Sequence, residues 1–238
     1  MPGLYKDEGI VLKTIKLGEA DRILTVYTRY NGKLSAVAKG IRKTKSRFGG
    51  RLEPFTRVQL MFYRGRNLDT VTGADILESF KGVRDDLESL TSAAALAELV
   101  DKVTPERERS LSVYALLLAG LHCLEEGGGC SVVPGFYLKL LSVAGYHPQL
   151  ETCSVCGSRE PAGFSAALGG AVCELCHHRD PDAEQLLPEQ LQLLERLLSA
   201  DLGTPTDESA AAYATRLLRR YAEYHLERPL RSLGVAAH

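Results

Sequence analysis

Apolar and polar positions alternate along the first eighty residues, and after that the period lengthens. Gly9–Leu17 is rich in Ile, Val and Leu and ends at Gly18. Arg22–Thr28 follows with β-branched and aromatic residues, Asn31-Gly32 interrupts the run, and Lys33–Lys39 resumes it. Asn-Gly between two such runs signals a hairpin, because both central residues of a type I′ turn need positive φ. Arg57–Tyr63 and Leu68–Ile76 make a second hairpin around Arg64-Gly65-Arg66-Asn67. An isolated hairpin is marginal in water, whereas five antiparallel strands can close into a small barrel that leaves no edge exposed. The pattern predicts an OB-fold barrel, with an SH3-like barrel as the rival.

Past Phe80 the apolar residues recur at the helical period. Thr91–Val103 is Ala/Leu-rich and stops before Pro105, and Glu106–Glu126 carries a stripe through Leu111, Tyr114, Leu117, Leu118 and Leu121. Phe136–Ala144 is shorter and closes at Gly145. Pro188–Ala200 has proline in its first turn, where the missing N–H costs nothing, and Glu208–Glu227 follows Asp207, a suitable N-cap. Striped helices pack on one another, so the expected architecture is α+β and multi-domain: a five-stranded barrel over 1–80 and an α-helical bundle over 81–238. In the last helix, Arg216, Arg219 and Arg220 share a face with Glu223 and Glu227, which reads as a solvated face rather than a second basic patch.

Composition changes this picture little, but charge changes it considerably. The 238 residues carry a formal net charge of −1, which alone argues against a nucleic-acid binder. Residues 1–82, however, hold 16 Lys+Arg against 8 Asp+Glu, a net of +8, and residues 83–238 hold 13 against 22, a net of −9. The excess is concentrated from Lys39 to Arg51, where Lys39, Arg42, Lys43, Lys45, Arg47 and Arg51 occur with no carboxylate, and Phe48 sits among them before Gly49-Gly50. Lys33 precedes the run, and Arg64 and Arg66 occupy the last hairpin turn. Single-stranded nucleic acid asks for cations along its phosphates and an aromatic face for a base, and the last hairpin loop of an OB barrel commonly lines the binding face. These residues are the expected DNA contacts. The plainer alternative is a solvated basic loop in which Phe48 plugs the core. The acidic first loop, Gly18–Asp21, is not expected to touch phosphate.

Cys153-Ser-Val-Cys156 and Cys173-Glu-Leu-Cys176 stand sixteen residues apart. Paired C-x2-C turns at this spacing are a strong zinc signal, and four thiolates leave no open position for water, so one structural Zn2+ is expected in an element at about 150–180. His177 and His178 adjoin the last cysteine as substitute ligands, and four metal-free thiols are the other alternative. Cys123 and Cys130 have no partner at ligand spacing; Cys123 is expected to be buried and Cys130 exposed. No apolar window reaches the length of a membrane helix, and the N-terminal residues lack a signal core, so a cytoplasmic protein is expected. Phosphate-cradling, dinucleotide and H-E-x-x-H motifs are absent, and Asp85-Asp86 lacks companions for a two-metal nuclease, so no enzyme is expected.

Several ordered segments together resemble the RecO family of bacterial recombination and DNA-repair proteins. They are Gly9-Ile10-Val11-Leu12, Glu19-Ala20-Asp21-Arg22-Ile23-Leu24-Thr25, Gly32-Lys33, Ala36–Lys43, Phe48–Phe55, Phe136–Leu141, Gly145-Tyr146-His147-Pro148 before Cys153, and Arg228–Leu233. The resemblance implies an N-terminal OB-fold and a helical domain with the zinc element. It also implies binding to ssDNA and dsDNA, annealing of complementary strands, and partnership with RecR in helping RecA displace single-strand-binding protein. On this view RecR and the tail of single-strand-binding protein dock on the acidic helical half or at the domain junction. Two other readings compete: an OB/zinc-ribbon transcription or translation factor, and a DNA-processing nuclease.

Overall fold

The computed structural model describes residues 3–43, 46 and 48–232 and divides into two compact units, Met1–Glu125 and Glu126–His238. The first unit begins with β1 (Leu4–Leu17), β2 (Asp21–Thr28), β3 (Gly32–Ala38), β4 (Arg57–Tyr63) and β5 (Asp69–Glu78), closed into a barrel in the order β1-β2-β3-β5-β4. β1 is long enough to serve two neighbours: its first half pairs with β4 (Leu4↔Tyr63 to Ile10↔Arg57) and its second half with β2 (Gly9↔Thr28 to Leu17↔Asp21). A short parallel pair, Ala36↔Asp69 and Val37↔Thr70, closes the ring.

Alternation decides the interior. Leu24 and Val26, Leu34, Ala36 and Ala38, and Val58, Leu60 and Phe62 are two-residue repeats, and all of them point into one core. The long β3–β4 connection is pinned to that core by Ile41, Phe48 and Leu52. The β2–β3 turn differs from the expected two-residue form. The chain turns over Arg29–Asn31, and of Asn31 and Gly32 only Gly32 takes positive φ, at +65°.

Three helices complete this unit: α1 (Lys81–Asp85), α2 (Leu87–Val103) and α3 (Leu111–Glu125). Asp86 caps α2 by accepting from the Ser89 N–H at 2.8 Å. Charged groups join the helices to the barrel. Lys13 of β1 lies 2.5 Å from Asp101 of α2, and Glu8 of β1 accepts from Tyr114 of α3 at 2.6 Å and from Arg57 of β4 at 2.8 Å. Helices follow the barrel as expected, and the first three of them share its compact unit.

The second unit holds α4 (Val132–Val143), β6 (Pro161–Ser165), β7 (Gly170–Cys173), α5 (Glu174–His177), β8 (Glu184–Gln185), α6 (Pro188–Ser199) and α7 (Glu208–Leu226). α4 is buried along almost its whole length, which its run of apolar residues requires, and it packs against α6 and α7. Asp207 caps α7 as expected, accepting from the Ala210 N–H at 3.0 Å. Leu217, Leu218 and Tyr221 face the core, while Arg219 pairs with Glu223 and Arg220 with Glu184. No described helix is long and apolar enough to cross a membrane.

Candidate nucleic-acid interface and metal centre

The basic loop leaves β3 after Ala38 and rests on the turn between β1 and β2. The Gly40 N–H donates to Asp21 Oδ1 at 2.7 Å, the Arg42 N–H to the Ala20 carbonyl at 3.0 Å, and the Arg42 guanidinium to the Gly18 carbonyl at 3.4 Å. The acidic first loop thus serves as a bracket for the basic one. Its Asp21 carboxylate is engaged by backbone, and Lys39, Arg42, Lys43 and Arg51 remain exposed. Arg64 and Arg66 are exposed in the turn before β5, with the Arg64 guanidinium 5.1 Å from the Tyr5 ring centre. Ala36 pairs with Asp69 in parallel, so the chain entering β5, and with it this turn, lies toward the Gly32 end of β3, whereas the basic loop departs from the Ala38 end. Lys45 and Arg47 lie outside the described residues.

Two expected contact residues are turned inward. Phe48 is 1% exposed and is part of the barrel core, so no base can stack on its ring. The loop needs apolar anchors to cross the barrel end, and Phe48 is one of three. Lys33 is 8% exposed; its ammonium donates to the Asp101 carbonyl and lies 3.4 Å from Asp101 Oδ1. It ties β3 to α2 and does not face solvent where a phosphate would lie.

The four cysteines converge. The sulfurs of Cys153, Cys156, Cys173 and Cys176 all lie within 4.8 Å of one another, with Cys156 and Cys173 at 3.6 Å. A Zn–S bond of about 2.3 Å puts tetrahedral sulfurs roughly 3.8 Å apart, so the set fits a single metal ion. The first pair turns over residues 153–157, where the Gly157 N–H donates to the Cys153 carbonyl at 2.9 Å. The second pair is at the end of β7 and in α5, and β6–β7 pairing aligns the two turns. Gly170 is required here. Its φ is +143°, and a Cβ there would lie 2.2 Å from the Gln149 carbonyl oxygen.

The electrostatics of the cluster favour a cation. Burial opposes ionisation of Cys153, but the backbone N–H groups of Cys173, Cys156 and Val155 and the Cys156 thiol outweigh it and bring Cys153 down to about 6. Cys176 is pushed up to about 12, by burial first and then by the sulfurs of Cys156, Cys173 and Cys153. Cys153 ionises readily, and ionisation of Cys176 beside it is resisted unless a metal ion offsets the repulsion. Neither His177 nor His178 joins the cluster. Outside it, Cys123 and Cys130 are both half-buried, and the Cys130 thiol lies 3.5 Å from the Thr206 carbonyl.

Comparison with known proteins covers both units. The family described as "Recombination protein O N terminal" matches residues 1–80, and "Recombination protein O C terminal" matches residues 84–234. The chain is 43% identical over 240 residues to the DNA repair protein RecO of Bifidobacterium longum subsp. infantis, covering 98% of each chain. It is 43% identical over 242 residues to that of Nocardioides sp., covering 97% of this chain and 98% of the relative. Against that of Thermobifida fusca the identity is 41% over 244 residues, with 98% of each covered. An OB-like barrel, following helices, a four-cysteine cluster and near-complete coverage at this identity agree: the chain belongs to the RecO family of recombination and DNA-repair proteins.

Proposed function

We propose that the protein is a non-catalytic recombination mediator that binds single- and double-stranded DNA and anneals complementary strands. With RecR it helps load RecA on DNA coated by single-strand-binding protein, in the cytoplasm and at the nucleoid. The observation that carries this reading is the set of exposed cations Lys39, Arg42, Lys43, Arg51, Arg64 and Arg66, on the loop that leaves β3 and the turn that enters β5, two paired strands of one barrel. Lys45 and Arg47 belong to the same basic segment. Annealing needs no reacting group. Cations that hold two phosphate backbones lower their mutual repulsion and raise their local concentration, and contacts confined to phosphate leave base edges free to pair.

The cluster of Cys153, Cys156, Cys173 and Cys176 holds one Zn2+ in this reading, as a clamp for the β6–β7 element with no part in DNA chemistry. The acidic helical half after the barrel is the docking half for RecR and the tail of single-strand-binding protein. The domain division in this reading is 1–80 for DNA and 81–238 for partners. It is compatible with the helices α1–α3 bracing the barrel.

Binding of the full chain to unlabelled-competitor-free ssDNA across a salt series tests the reading. About four phosphate contacts give a log–log slope near −3, at ~0.7 per contact for single strands. Combined replacement of Lys39, Arg42 and Lys43 by Ala flattens that slope and slows annealing. A salt-independent affinity, or no loss in the triple variant, overturns the assignment, and cleavage of the DNA in Mg2+ overturns the non-catalytic role.

A further inference from the structure

The interior position of Phe48 leaves the basic loop without an aromatic platform among its described residues, yet the barrel carries an exposed aromatic among cations elsewhere. Tyr30 lies in the β2–β3 turn and is 54% exposed. The guanidinium carbons of Arg29 and Arg109 are each 5.5 Å from its ring centre, within the range of cation–π attraction. We infer that Tyr30, Arg29 and Arg109 form a second site for single-stranded DNA, in which Tyr30 stacks on a base and the two guanidiniums meet the flanking phosphates. This rests on the DNA-binding reading above and extends it from one site to two.

The platform is built and held rather than incidental. Asp7 is 1% exposed, and both of its oxygens are engaged in fixing the turn and the strand beside it. Oδ1 accepts from the N–H groups of Tyr30 at 3.3 Å and Glu8 at 2.8 Å, and Oδ2 accepts from the Asn31 amide at 2.7 Å. The Thr28 hydroxyl donates to the Gly32 carbonyl at 2.9 Å and accepts from the Asn31 N–H at 3.2 Å.

The α2–α3 connection is then pressed onto this turn. The Arg107 N–H donates to the Lys33 carbonyl at 2.7 Å, and a Cβ on Gly32 would lie 2.0 Å from the Glu108 carbonyl oxygen. Only glycine admits that approach, and the approach is what delivers Arg109, the next residue, to the Tyr30 ring. Arg29 pairs loosely with Glu8 at 3.4 Å, whereas Arg109 has no carboxylate within 4.0 Å among the described residues. The exposed Glu108 is the acidic neighbour on the same connection.

The placement suits annealing. The β2–β3 ladder runs from Thr28↔Gly32 at the Tyr30 turn to Arg22↔Ala38 where the basic loop departs. Six residues of strand separate the two ends by about 20 Å. A strand held at the basic loop therefore leaves the Tyr30 end open to a second strand.

The chain has no tryptophan, so a Tyr30→Trp variant carries a single reporter at the site. A short oligothymidine is expected to quench its fluorescence, and polyglutamate at equal charge is not. Tyr30→Ala is expected to weaken oligothymidine binding about 5-fold or more, as loss of one base–aromatic stack does, and Tyr30→Phe is expected to keep it. Arg109→Gln is expected to slow annealing. If Tyr30→Ala binds like the parent while the Lys39, Arg42 and Lys43 triple variant loses binding, this site is overturned and the basic-loop assignment stands. If neither loses binding, both fall. Equal quenching of the Trp variant by polyglutamate overturns base stacking in favour of an anionic peptide. No quenching at saturating oligothymidine overturns the site, even if Tyr30→Ala fails to fold.

Discussion

Lys33 and Phe48 have the residue types of a nucleic-acid contact and the surroundings of a scaffold. Lys33 is nearly enclosed and holds a carbonyl and a carboxylate of Asp101, and Phe48 fills the barrel core. Their substitution therefore acts on stability and not on DNA. Phe48→Ala is expected to cost about 3–5 kcal/mol, as large-to-small core changes do. Lys33→Met removes a charge-assisted hydrogen bond and is expected to cost about 1–3 kcal/mol. Urea unfolding measures both losses. In a salt series on ssDNA, Lys33→Met is expected to keep the parent slope, because an ammonium bound to Asp101 neutralises no phosphate; a shallower slope would return Lys33 to the interface.

At the scale of elements, the four-cysteine clamp joins two short turns that are otherwise held by β6–β7 pairing and a few backbone hydrogen bonds. Cys153, Val172, Cys173 and Cys176 form a small core of their own, with Val155, Leu168 and Ala183 against it. So small a core gives little hydrophobic stabilisation, and structural metal binding supplies folding free energy directly. Metal analysis is expected to find about one zinc per chain. Removing the metal with a chelator, or replacing Cys173 by Ser, is expected to raise hydrogen exchange over residues 150–180. Exchange in the barrel strands β1–β5 is expected to stay unchanged, since the cluster lies in the other unit. Uniform loosening of the whole chain would contradict a local clamp.

For the whole molecule, the charge division is milder than the sequence split suggests. Residues 1–125 hold 20 Lys+Arg against 16 Asp+Glu, a net of +4, and residues 126–238 hold 9 against 14, a net of −5. The helices after the barrel bring acidic groups that pair with barrel cations, as Asp101 does with Lys13 and Lys33. The same unit has a defined pH response. Burial raises Asp69 and Glu8, but hydrogen bonds from Tyr5 and Arg107 to the first, and from Tyr114 and Arg57 to the second, outweigh it and hold both below their usual range.

A lowered carboxylate contributes stability that is complete above its unfolded value of about 4 and is lost as pH falls through the folded value. Tyr5 and Tyr114 are raised, by burial first and then by those carboxylates, so their contribution is complete below about 10 and is lost above it. The urea midpoint is expected to hold level between these limits and fall on either side. Glu8→Gln is expected to flatten the acid limb, and Tyr114→Phe the alkaline one.

Period-two alternation from Gly9 to Ile76, the helical stripes beyond Phe80 and the paired C-x2-C turns were enough to place a five-stranded barrel, several helices and a four-cysteine cluster. Each of those signals is local: a strand's faces, a helix's stripe and a turn's two thiols lie within a few residues of one another. What the tertiary structure decided depends on contacts between distant segments. Phe48 and Lys33 turn inward because the loop needs an anchor and Asp101 lies across from β3. The first three helices join the barrel because Arg84 of α1, Asp101 of α2 and Tyr114 of α3 each find a partner on its strands or loops. Tyr30 meets Arg109, seventy-nine positions away, only because Gly32 lets two loops touch.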